Sequence, residues 1–168
     1  MDPFTLLKND HEMVKTMMSA LESTTERAEK KRTEIFDSLK RSLSAHEAAE
    51  EEFLYPAVRE KAKARSDEKD VVLEAYMEHH VADLLVAELA EMPVTDEMWG
   101  AKAKVLQENL EHHIEEEEGP LFEAAKSLLD TDELDQIGDL MDARMRELMD
   151  EATPAPPVMM PDEPVAAE

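Results

Sequence analysis

The sequence predicts an all-α protein: an antiparallel up-down four-helix bundle with an extra C-terminal helix and a disordered tail. Three observations predict it. The composition is that of helices, with 12 Met, only 3 Gly and 4 % aromatic residues. Apolar residues recur at three- and four-residue spacing through most of the chain, with turn signals between the periodic stretches. At 168 residues and 42 % hydrophobic content, the chain suits one domain with one core.

The first helix spans about 4 to 28, on the stripe Phe4, Leu7, His11, Val14, Met17 or Met18, and Leu21. The second spans about 31 to 64, on Ile35, Leu39, Leu43, His46, Glu50 and Phe53 or Leu54. Pro56 predicts a kink or break in it. A turn at Arg65–Asp67 leads to the third helix, about 67 to 91. Thr95 or Asp96 is the N-cap of the fourth, about 96 to 118, which Gly119 and Pro120 punctuate before a further stretch from Leu121 to about Leu129. A new start at Asp130 opens an amphipathic helix to about Met149, placed across one end of the bundle, with Leu134, Ile137, Leu140 or Met141, Met145 and Leu148 inward. Residues 1–150 are thus read as the bundle domain, and 151–168 as a Pro-rich, acidic, disordered tail.

The charge of −24 predicts a surface that repels nucleic acid and anionic membranes. No apolar run has the length of a membrane span, and Met1–Phe4 does not resemble a signal peptide. Absence of cysteine rules out disulfides, thiolate metal sites and Cys nucleophiles, and is compatible with a cytoplasmic location. Oligomeric state is not legible.

The chemistry lies in a weak internal duplication. HEAAEEEFLYP from His46 and HIEEEEGPLFE from His113 each contain His-x-x-x-Glu followed, five residues on, by an aromatic. His46 and His113, Glu50 and Glu117, and Tyr55 and Phe122 are each 67 positions apart, and His11 and His79 are 68 apart. Residues four apart on a helix differ by about 40° around its axis, so each motif aims an imidazole and a carboxylate at one place. Two such pairs plus His11 and His79 give four imidazoles and two carboxylates, a set suited to a pair of iron ions with Glu50 and Glu117 as bridges and with coordination positions left open.

His79 is preferred over its neighbour His80 because it lies opposite the polar edge formed by Asp70, Glu74 and Glu88. Tyr55 and Tyr76 are candidate donors to iron or to a bound ligand, beside the simpler reading as core tyrosines; His80 is a spare ligand. Glu51, Glu52, Glu115, Glu116 and Glu118 are read mostly as a solvated face, and the Met residues as core filler. A ferritin-like carboxylate site would need Glu three residues before a ligand His. Those positions are Lys8, Leu43, Tyr76, Met77, Asn109 and Leu110.

The pattern His11, His46-x-x-x-Glu50, His79, His113-x-x-x-Glu117 resembles the hemerythrin HHE cation-binding family over about residues 5 to 148. The flanking EEEFLYP (Glu50–Pro56) and EEEGPLF (Glu116–Phe122) are family-like too. The resemblance implies a non-haem di-iron centre, oxo- or carboxylate-bridged, that binds or reacts with dioxygen, peroxide or nitric oxide. It also admits an iron- or oxygen-sensing or storage module without turnover. The chain departs from the oxygen carriers of the family. They have His-x-x-x-His on the third metal helix, where His79 is here followed by Asp83. They also have Asp one position beyond Glu117. Both departures argue against simple reversible oxygen carriage.

Overall fold

The computed structural model describes residues 1–63 and 66–151, which form five helical rods and, among those residues, no strand. The expected tail, apart from Glu151, and Arg65 of the expected turn lie outside the described residues.

Rod one is α1, Pro3–Glu22. Asp2 caps it by accepting from the Phe4 and Thr5 amides, and Pro3 fills a first-turn position where no amide is missed. It ends about six residues before the expected boundary at about 28, just past the last residue of its apolar stripe, Leu21. The hydroxyl of Ser23 donates to the Ser19 carbonyl at 2.9 Å and that of Thr24 to Leu21 at 2.6 Å. Such local bonds compete with helix continuation.

Rod two runs from α2, Glu29–Ala49, through a wide π turn, Glu50–Leu54, into α3, Tyr55–Lys61. Of the kink or break expected at Pro56, a break does not occur. The Tyr55 amide reaches back five residues to the Glu50 carbonyl, and Pro56 falls in the first turn of α3. Rod three is α4, Asp67–Glu91, as the periodicity predicts.

Rod four repeats rod two. Helix α5, Glu97–Glu116, is capped by the Asp96 side chain, then passes through a π turn, Glu117–Leu121, into α6, Phe122–Leu128. The Phe122 amide bonds the Glu117 carbonyl, the same five-residue step as in rod two. Each π turn therefore begins at the Glu of a His-x-x-x-Glu motif and ends before its aromatic.

Rod five is α7, Thr131–Glu151, opened by a reciprocal cap. The Glu133 amide donates to Asp130 Oδ1 at 2.9 Å and the Asp130 amide to Glu133 Oε2 at 3.0 Å. It lies along the α1–α2 flank rather than across the end alone, burying Ile137, Gly138, Met141 and Met145. Of the alternatives Leu140 and Met141, Met141 takes the inward place and Leu140 is exposed.

Consecutive rods of the bundle are neighbours and the fourth packs on the first, the ring order of an up-and-down bundle. Its interior has two apolar clusters. One joins Phe4, Leu7, Leu54, Val58, Leu121 and Phe122 to α7, and the other holds Val14, Leu21, Phe36, Leu39, Leu89, Trp99 and Leu106. Truncating a sealed member such as Leu39 to Ala costs about 2–5 kcal/mol. Between the clusters lies a layer of buried polar side chains.

Candidate metal centre

That layer consists of His11 on α1, His46 and Glu50 on rod two, His79 on α4, and His113 and Glu117 on rod four, none more than 5 % exposed. The helical spacing that predicts a common face thus brings all six residues together. Their donor atoms form two overlapping groups. His11, His46, Glu50 and Glu117 make one, and Glu50, His79 and His113 the other, with the atoms of each group within 4.8 Å of one another. Glu50 belongs to both.

His46 Nε2 lies 3.2 Å from Glu50 Oε1, and His79 Nε2 lies 3.3 Å from Glu50 Oε2. His11 Nε2 is 3.0 Å from Glu117 Oε2, and the Nε2 atoms of His79 and His113 are 3.2 Å apart. Yet His11 Nε2, Glu50 Oε1 and both Glu117 oxygens are sealed from solvent and make no hydrogen bond. Orphaned donors converging on one point are costly in an apolar interior, and a cation there satisfies them together.

The outer nitrogens are held differently. His11 Nδ1 is 2.9 Å from Glu118, His79 Nδ1 is 2.9 Å from Glu51, and His113 Nδ1 is 2.8 Å from Glu78. His46 Nδ1 faces Asp10 at 3.6 Å. A carboxylate on Nδ1 fixes the ring and its tautomer and leaves the Nε2 lone pair free for a metal. These four acids are immediate chain neighbours of Glu117, Glu50, His79 and His11; Glu118 on His11 and Glu51 on His79 cross between the two halves of the repeat, whereas Asp10 and Glu78 brace within a half. Sequence reading missed them. Glu51 and Glu118 are among the acids read as mostly a solvated face, and Glu51 is exposed; the pairs Asp10-His11 and Glu78-His79 and the doublets Glu50-Glu51 and Glu117-Glu118 recur in both halves and carry the signal of the second contact.

Of the other sequence candidates, Tyr55 is fully buried, its hydroxyl 3.3 Å from Glu50 Oε2 and 3.2 Å from His79 Nε2, beside the second group. Tyr76 is only half-buried and packs edge-on against the Tyr55 ring at 5.2 Å. His80 faces solvent and joins neither donor group.

Electrostatics express the same demand for positive charge. Burial lowers the His79 pKa, but its bonds to Glu50 and Glu51 overcome this and push it up to about 10. Burial likewise opposes charge on His46, yet Glu50 and Asp10 hold its pKa well above the ordinary value. For Glu50, burial is outweighed by the His46 charge and by hydrogen bonds, which keep its carboxyl well below the usual range. Burial and the neighbouring Glu50 charge raise Glu117. Protons thus collect where cations can sit.

Beside the four imidazoles is a cavity of about 10 Å³, room for one water-sized molecule, walled by Val14, Leu43, Leu110 and Ile114 with Glu47 as its other polar residue. Burial pushes the Glu47 carboxyl up to about 8.

Comparison with known proteins gives a consistent result. The sequence model of the hemerythrin HHE cation binding domain matches residues 2–125. The fold is similar to the crystal structure of a hemerythrin HHE cation binding domain-containing protein from Mycobacterium kansasii. The TM-score is 0.77 and the identity 22 %, over 90 % of this chain and 89 % of that one. No curated protein matches.

Proposed function

Because the chain belongs to the hemerythrin HHE cation-binding family, we propose that its buried His/Glu layer holds two iron ions and uses them on a small ligand. His11, His46, Glu50 and Glu117 would hold one ion and Glu50, His79 and His113 the other, with Glu50 shared between the two groups. The observation that carries this reading is the pair of donor groups sharing Glu50, with a carboxylate facing the outer nitrogen of every imidazole. Iron accepts this mixture of imidazole and carboxylate.

Two irons so held would exchange electrons with peroxide, nitric oxide or dioxygen. The chain's own residues determine what reaches them. The cavity admits one small molecule and its apolar walls exclude bulk water. The acids on Nδ1 of His11, His79 and His113 keep those imidazoles oriented and increase their basicity. Tyr55, donating to Glu50 at 3.3 Å, steadies the bridging carboxylate and can donate to a ligand instead. We assign the protein to the cytoplasm, in keeping with its lack of cysteine; no described helix is long and apolar enough to cross a membrane.

The test is metal content per chain after anaerobic iron loading and washing with a mild chelator. About two irons are expected, one for each donor group. Retention of a small fraction of one iron would return these residues to a structural role. Disappearance of added peroxide or nitric oxide then separates turnover from the alternative, a sensing or storage module that binds without consuming.

A further inference from the structure

Glu47 is the buried acid that the centre does not use. It follows His46 on α2, is 8 % exposed, and makes no hydrogen bond or ion pair with any described residue. The other acids of the layer either offer oxygens to the two donor groups or face an imidazole's outer nitrogen. Burial disfavours charge on this carboxylate, while His79 and His46 on the inner side favour it.

Glu47 lines the small cavity that touches all four imidazoles, and it also lines a groove of about 390 Å³ outside it, between α2 and α4. Only Leu43, one helical turn before it, shares both. The groove carries Ser44 and the exposed Asp83, and its one cation, Lys40, lies 3.9 Å from Asp37. Between this groove and the cavity stand one leucine and one carboxylate. A second groove, under α7, reaches the outer side of His46 but no other imidazole.

Resting on the metal-centre reading above, we propose that Glu47 is the gate through which a divalent cation passes from the α2–α4 groove to the centre. A hydrated dication gives up its waters only in exchange for other oxygen or nitrogen donors. The carboxylate meets it at the groove, and the imidazoles take it on the inner side. Leu43 offers nothing to a cation, so passage depends on the acid.

The experiment is anaerobic stopped-flow loading of the full-length, metal-free chain with Co²⁺, followed by its visible absorption, with metal content measured at the plateau. Glu47→Gln and Glu47→Leu are expected to load about tenfold more slowly than the unsubstituted chain, the scale of one attractive charge at a cleft. They are expected to release Co²⁺ to a chelator more slowly too, and to reach the same plateau. Asp142→Asn, at the groove under α7, is expected to load at the unsubstituted rate. Glu47 variants that fill at an unchanged rate overturn the gate alone, as does slowing by Asp142→Asn without slowing by Glu47→Gln. A lowered plateau in the Glu47 variants makes Glu47 a ligand and overturns it as well. An unsubstituted chain that takes up no Co²⁺ overturns the metal-centre reading, and the gate with it.

Discussion

Glu51 Oε1 lies 2.9 Å from His79 Nδ1, reaching from the residue after the shared carboxylate Glu50 to an imidazole on the next rod. Glu118 stands in the same relation to His11, one residue after Glu117 and at the same distance. The two contacts make each π turn the carrier of both a candidate ligand and a brace. Each widened turn starts at Glu50 or Glu117, so the following acid is carried round to the flank of the partner rod.

Substituting these braces is expected to weaken metal binding without unfolding the bundle. Glu51→Ala and Glu118→Ala should each lower affinity about 10- to 100-fold, and Glu51→Gln, which keeps an acceptor, should lower it less. Chelator-competition titration measures it. Unchanged affinity in both alanine variants would mean that the contacts are incidental.

The two bridging candidates are expected to differ. Glu50 serves both donor groups, whereas Glu117 closes only the first within the same distance. Glu50→Ala should therefore empty both positions, and Glu117→Ala should leave about one metal per chain, held by Glu50, His79 and His113. Metal analysis of the two purified variants decides it. Equal losses would mean that the carboxylates are equivalent and the asymmetry of the metal-free centre disappears on loading.

How much of this was open to the sequence follows from periodicity. The six buried donors share one helical stripe per rod, so spacing and duplication located them. Other features depend on partners distant in sequence. The π turns arise where the backbone is widened at a buried candidate ligand, and Pro56 looks like a break until the Tyr55 amide is seen to skip to Glu50. The early end of α1 is set by two hydroxyls that periodicity does not weigh. The braces Glu51 and Glu118 stand among runs of glutamate, where identity alone cannot tell a solvated acid from one held on a histidine.

The metal-free chain is expected to lose stability as pH rises. His79 has a folded pKa of about 10 against an ordinary 6.5. Its stabilising contribution is therefore full below about 6.5 and is lost as pH climbs through about 10. Glu47, raised from 4.5 to about 8, acts in the same direction over its own range, because the folded state holds that proton more tightly. Glu50, lowered, contributes above the ordinary carboxylate range and loses that contribution in acid. Metal replaces these protons, so binding strengthens with pH. The Tm difference between loaded and metal-free protein should widen from about pH 6.5 to 9. Parallel Tm–pH curves would contradict this.

Far from the centre, Arg32 is expected to contribute stability alone. It is 6 % exposed and has no carboxylate partner among the described residues. Its Nε donates to Thr24 Oγ1 at 2.8 Å, Nη1 to the Val94 carbonyl at 2.7 Å and Nη2 to the Thr24 carbonyl at 3.3 Å, with the guanidinium 5.2 Å above the Trp99 ring. One side chain thus ties the loop after α1 to the loop before α5. Arg32→Met keeps much of the volume but leaves those acceptors unmet. It should cost about 2–4 kcal/mol in chemical denaturation, with metal stoichiometry unchanged. Arg32→Lys keeps the charge but loses the planar fork, and should recover less than half of that loss. An Arg32→Met variant as stable as its parent would mean that desolvating the unpaired charge costs as much as its three hydrogen bonds contribute.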